Sequence, residues 1–162
     1  MRLGFRLKHY LFSAFREIFV HHHSSLEFRA KVFALIISAN RDAKVENYII
    51  VKELATEIYK GDEDRANLLM ITTKELVQKV NENNGLDIDT LVENIQRDIR
   101  NVPRFAKKID PQSLNRFIEL THDPDTRAYQ NNIVEFLTTL KRETLQSKSI
   151  EILKEEEQLA KA

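Results

Sequence analysis

The chain predicts an all-α fold: a single-domain bundle of about seven or eight helices, built from two pseudo-symmetric helical hairpins. Three observations carry this expectation. Apolar residues recur at three- and four-residue spacing through most of the 162 positions. Three glycines and three prolines are too few for many-turned β structure and suit long helices with short links. Two stretches also resemble one another at an offset of 83 positions, Leu35–Thr56 (LIISANRDAKVENYIIVKELAT) and Ile118–Thr139 (IELTHDPDTRAYQNNIVEFLTT). Asp42, Ile50, Val51, Leu54 and Thr56 fall on identical residues at Asp125, Ile133, Val134, Leu137 and Thr139. Each stretch reads as a helix end, a short acidic turn and a new amphipathic helix.

The elements follow in order. A first helix is predicted over 3–20. A second covers Leu26–Asn40, with Ser25 able to cap it and Phe28, Val32, Leu35, Ile36 and Ala39 on one face. A third runs from about Val45 to Lys60 and stops at Gly61, with Tyr48, Val51, Ala55 and Ile58 inward. Asp62 can cap a fourth, to Asn81, where Leu69, Leu76, Val77 and Val80 face the core. Asn83-Asn84-Gly85 makes a turn. The fifth uses Ile88, Leu91, Val92, Ile95, Ile99 and Val102 and ends before Pro103. A basic linker, Arg104–Ile109, precedes a sixth helix capped by Asp110, with Pro111 at its first position and Leu114, Phe117 and Ile118 inward. The seventh follows His122-Asp123-Pro124-Asp125, with Tyr129, Ile133, Phe136, Leu137 and Leu140 along it. The division expected is an aromatic, basic N-terminal helix (1–24), a helical domain (25–142) and a charged, solvated helical tail with a frayed end (143–162).

Composition narrows the function. Twenty-five basic and 25 acidic residues cancel, which disfavours nucleic acid as a partner. With no cysteine there is no thiolate nucleophile, disulfide or cysteine-based zinc site, and a cytoplasmic setting fits. No apolar run reaches the roughly 18 residues that span a bilayer. Polar residues at Lys8, His9, Ser13, Arg16 and Glu17 interrupt any signal-peptide core. Phosphate-binding glycine loops, a His-Glu-x-x-His motif and a nucleophile elbow are all missing, so no enzyme is expected.

The turn Ala39-Asn40-Arg41-Asp42-Ala43-Lys44-Val45 resembles the signature of TerB-like tellurite-resistance domains, and the related segment of DjlA-type membrane co-chaperones. In those domains a helix ends in an alanine-rich stretch and leads through an Asp-Gly turn to a small apolar residue and an acidic helix. Asp42 matches the aspartate and Val45 the apolar position, with Glu46 and Glu53 on the acidic helix. Ala43 stands where the family has glycine, which argues against a positive φ there, and Lys44 stands where an acid is common. The resemblance covers about Leu26–Arg142. It implies two hairpins, a scaffold role in stress response, and divalent-metal binding through acidic residues.

Four constellations could carry function. Packed hairpins would bring Asp42 and Asp125 together with Glu46, Asp123 and Glu53 near, a ligand set suited to calcium or magnesium; the plainer reading is helix capping. Zinc is a further candidate cation. His21-His22-His23 could take a transition metal or titrate near neutrality, but consecutive residues rarely converge on one ion, and a polar hinge is the plainer reading. Arg104, Lys107 and Lys108 could hold an anion or simply form a solvated linker.

The fourth is the segment 3–20, whose apolar residues span an arc of about 220°. Phe5, Tyr10, Phe12, Phe15 and Phe19 dominate that arc, while Arg2, Arg6 and Arg16 lie on the remainder. So wide an arc implies two apolar contacts. It could be sandwiched in its own fold, pair with a second copy or another protein, or lie on an anionic membrane with aromatics inward. His122-Asp123-Pro124-Asp125 has the residues of the J-domain His-Pro-Asp tripeptide in the wrong order and implies no J-domain. The function expected is a non-enzymatic TerB-like scaffold or adaptor, with a peripheral membrane protein as the alternative.

Overall fold

A six-residue apolar run, Val32–Ile37, sets the centre of the molecule. The computed structural model describes residues 24–161. In it this run lies in α1 (Ser24–Ser38), where Leu26, Phe28, Ala30 and every residue from Val32 to Ser38 are buried. A helix apolar on all sides is stable only when surrounded. The remaining elements surround it: α2 (Val45–Ile58), α3 (Glu63–Asn81), α4 (Ile88–Asn101), a 3₁₀ turn (Pro103–Lys108), α5 (Pro111–Glu119) and α6 (Pro124–Ala160). The expected all-helical bundle is what forms. α1 packs chiefly on α3 and α4 and also touches the 3₁₀ turn, α5 and α6. The part-buried pair Lys31–Asp98, at 2.7 Å, ties α1 to α4.

Local chemistry places the helix ends. Asp62, Asp87, Asp110 and Asp123 each accept a backbone N–H in the first turn of α3, α4, α5 and α6. α2 stops at Ile58, short of the Lys60 end read from the sequence. Lys60 takes φ 52° and Gly61 φ 83°, and the Gly61 N–H donates to the Thr56 carbonyl. Asn83 and Gly85 also have positive φ, as an Asn-Asn-Gly turn requires, whereas Ala43 does not.

One expectation changes. The basic stretch is no solvated linker: in the 3₁₀ turn Phe105 and Ala106 are buried, and Phe105 stacks on Phe28 with ring centroids 5.2 Å apart. α6 runs unbroken for 37 residues, through positions 142 and 143, with no glycine or proline after Pro124. Tyr129 is 43% exposed, since Gln130, Ile133, Val134 and Leu137 define the buried face of α6.

The repeat is visible in burial. At the 83-residue offset Asn47, Ile50, Val51 and Leu54 fall on Gln130, Ile133, Val134 and Leu137, and all eight are buried. The helix starts do not coincide, because Val45 shifted by 83 is Ala128, four residues past Pro124. Packing also differs: α5 packs on α6, whereas α1 and α2 approach each other little and both close on α3.

Candidate functional site

The two acidic turns do meet. Asn40 joins them, its side-chain amide donating to the Thr121 hydroxyl at 3.4 Å while its own oxygen accepts the Asp42 N–H at 3.0 Å. Between them lies a cleft of about 710 Å³, whose walls include Asp42, Lys44, Glu46, Asn47, His122 and Asp123. Glu46 stands in the first turn of α2, where a carboxylate favours the positive helix end. Asp123 is occupied as the α6 cap. The Thr126 backbone N–H, then the Thr126 hydroxyl, donate to it and hold its carboxyl below the usual carboxylate range. Asp42 is exposed and caps nothing; α2 begins after Lys44, which makes no side-chain cap.

The expected acid set is thus only partly assembled. Asp125 is not on the cleft wall, because the earlier start of α6 carries it into the first helical turn while Asp42 stays in its loop. Glu53 is also elsewhere, paired with Arg116. Among the described residues no three His, Asp or Glu side chains converge in a metal-holding cluster. Lys44 adds a cation to the same cleft wall.

A second pocket, about 260 Å³, has cationic walls that sequence reading saw only in part. Arg29 and Lys108 line it with Glu57, Asp110 and Ser113. Burial pushes the Arg29 guanidinium down despite the nearby Tyr59. Burial also lowers Lys108, helped by Arg29 and Arg104. Asp110 is committed to Gln112 and Ser113. Arg29 could not be found from the sequence, because it sits among the core positions of α1 and its proximity to Lys108 depends on how the 3₁₀ turn folds back.

The third feature is the far half of α6. Every residue from Gln146 to Lys161 is exposed, so this helix leaves the body. Ile150, Ile152, Leu153 and Leu159 are 53%, 47%, 59% and 77% exposed. At 100° per residue Leu145, Ile152 and Leu159 share one side, about 90° from the Ile133–Leu137–Leu140 face that meets the body. Sequence reading took this stretch as a solvated tail because its apolar residues are sparse.

The aromatic and basic residues singled out earlier, Phe5, Tyr10, Phe12, Phe15, Phe19, Arg2, Arg6 and Arg16, lie outside the described residues, as do His21-His22-His23. No helix among the described residues is long and apolar enough to cross a membrane.

Compared with known proteins, the chain matches no family model, no curated protein and no solved structure.

Proposed function

We propose that this chain is a non-enzymatic helical adaptor of the TerB-like kind, working in the cytoplasm and in stress response. It takes a protein partner on the projecting half of α6. One observation carries the reading: four large aliphatic side chains stay exposed on a helix that leaves the body. Scattered exposed apolar residues are ordinary, but here Leu145, Ile152 and Leu159 share one side of a free helix, with Leu153 and Ile150 about 100° and 160° round from Ile152, and a free helix so furnished is a candidate interaction surface. The aromatic segment 3–20 is a further partner surface read from the sequence alone. The adaptor reading also agrees with the lack of a phosphate loop or nucleophile motif in the sequence.

The test is comparative. Proteins cross-linked to the wild-type chain in cells are identified and set against those cross-linked to Ile152→Asp/Leu153→Asp. The partner is then purified and its affinity measured for both forms. A loss of at least about tenfold in affinity is expected for the double variant. Equal affinities, or identical cross-link sets, would remove the adaptor surface from α6.

A subsidiary reading, a divalent cation at Asp42, Glu46 and Asp123, has only their shared cleft behind it and needs the three side chains to rearrange, because no three acids converge there.

A further inference from the structure

Phe105 stacks on Phe28, and this folds the 3₁₀ turn back over α1. The fold-back brings Lys108, the last residue of the turn, to the same pocket as Arg29 of α1, a cavity of about 260 Å³. Both residues are partly buried. A cation drawn out of water ordinarily stands beside a carboxylate, because it loses hydration and needs a compensating contact. Here, among the described residues, no carboxylate forms an ion pair with Arg29 or Lys108.

Their surroundings do not neutralise the two cations. Both oxygens of Asp110 are taken, one by the Gln112 N–H and the other by the Ser113 hydroxyl. Glu57 lines the pocket but is exposed. Arg29 is also near Tyr59, and burial raises that phenol and keeps it neutral. Lys108 lies near a further cation, Arg104. Arg29, Lys108 and Arg104 thus outnumber Glu57 and Asp110 by one, and the surplus suits a monoanion better than a dianion.

We propose that this pocket binds a small carboxylic acid with an apolar body, its carboxylate held between Arg29 and Lys108. A planar guanidinium matches the two oxygens of a carboxylate, and a lysine ammonium adds a point charge. Much of the remaining wall is apolar, formed by Val32, Phe33, Leu54 and Leu114, all buried. A volume of about 260 Å³ is that of about nine waters, which suits a carboxylate with about five further carbons and is too small for a nucleotide. The pocket shares no residue with the projecting half of α6, so the adaptor reading does not depend on it.

The test uses the full-length chain and four probes at constant ionic strength: hexanoate, acetate, 1-hexanol and hexyl phosphate. Calorimetry gives the affinities, and amide NMR shifts at Leu54, Lys108 and Leu114 locate the site. Hexanoate should saturate at millimolar concentration or below. Acetate supplies only the head and 1-hexanol only the body, and each should bind at least about tenfold more weakly. Arg29→Gln and Lys108→Gln should each weaken hexanoate at least about tenfold. Lys107→Gln, at an exposed neighbouring position, should stay within about twofold of wild type. Circular dichroism confirms that each variant is folded, and Lys108→Gln decides if Arg29→Gln is not.

Failure of hexanoate to saturate, or equal affinities for wild type and Lys108→Gln, would overturn the proposal. Equal binding of 1-hexanol would also overturn it, because the pocket would then be an apolar hole indifferent to charge. Tighter binding of hexyl phosphate than of hexanoate would assign the site to phosphate esters and overturn the carboxylate.

Discussion

Gln130 reaches from the second turn of α6 to the last turn of α1 and donates to the Ile36 carbonyl at 3.1 Å, with only 1% of Gln130 exposed. That carbonyl is one of the last four of α1, which have no partner within their own helix. The amide oxygen of Gln130 has no hydrogen-bond partner among the described residues. Gln130→Ala should lower stability by about 2 kcal/mol, through the stranded carbonyl and the vacated volume. Gln130→Glu should cost more, because it buries a carboxylate and removes the donor. Urea unfolding of the three proteins measures this. A wild-type midpoint for Gln130→Ala would show that the bond contributes nothing.

Phe105 follows the same logic at the other end of α1. It is 4% exposed and stacked on Phe28, which is fully buried. Phe105→Ala should destabilise the protein by about 3–5 kcal/mol, whereas Arg104→Ala and Lys107→Ala, both at exposed positions, should stay within about 0.5 kcal/mol. Thermal melts of the three variants separate a core element from a solvated linker. Three equal melting points would restore the linker reading.

These two contacts show what the sequence could reveal. Helix identity was legible from spacing, and the caps at Asp62, Asp110 and the Asn83–Gly85 turn from residue type, because each depends on neighbours within a few positions. The buried half of α6 was legible through Ile133 and Leu137. The role of Phe105 was not, since basic residues on both sides of a short Phe-Ala pair give no periodic signal. The meeting of the two turns followed from the repeat, but the ligand set did not. The four-residue difference in helix start moves Asp125 away from the cleft although the buried positions keep their 83-residue register. The projecting half of α6 was legible as helix, but the exposure of Ile152 and Leu153 along it was not.

Asp123 makes a prediction in pH. The Thr126 backbone N–H and hydroxyl favour its charged form, so its folded pKa lies below the unfolded value. The stability it contributes is present above the usual carboxylate pKa, near 4, and is lost as pH falls through the folded value. Asparagine also caps helices but does not titrate. Asp123→Asn should therefore flatten the acid limb of the melting curve between about pH 5 and pH 2 relative to wild type. Asp87, held down by Thr90, remains in both proteins and sets the residual slope. Parallel acid limbs would show that the Thr126 contacts do not discriminate the charged form.

The cleft makes a prediction in cations. Calcium is expected to bind no tighter than the millimolar range, since the three wall carboxylates do not converge and Lys44 competes with the ion. Calorimetric titration should show a heat that Asp42→Ala abolishes and Lys44→Ala strengthens. Magnesium, which prefers a tighter octahedral shell, should bind less well. Equal heats for wild type and Asp42→Ala would end the cation reading of this cleft.

Removing the end of α6 tests whether it belongs to the body. Residues from Gln146 onward are exposed, so a chain ending at Lys148 loses no core contact among the described residues. Its urea-unfolding free energy should stay within about 0.5 kcal/mol of wild type, with a similar slope. Affinity for an α6 partner should instead be lost, because the missing stretch carries Ile150, Ile152, Leu153 and Leu159. A free helix of this length is marginal in water, so its persistence depends on what covers it rather than on helix propensity. Amide exchange within Ile150–Leu159 should therefore be fast in the free protein and slow when a partner covers it, with body stability unchanged by the truncation. A truncation that unfolds the body would make this half of α6 a structural element instead of an interface.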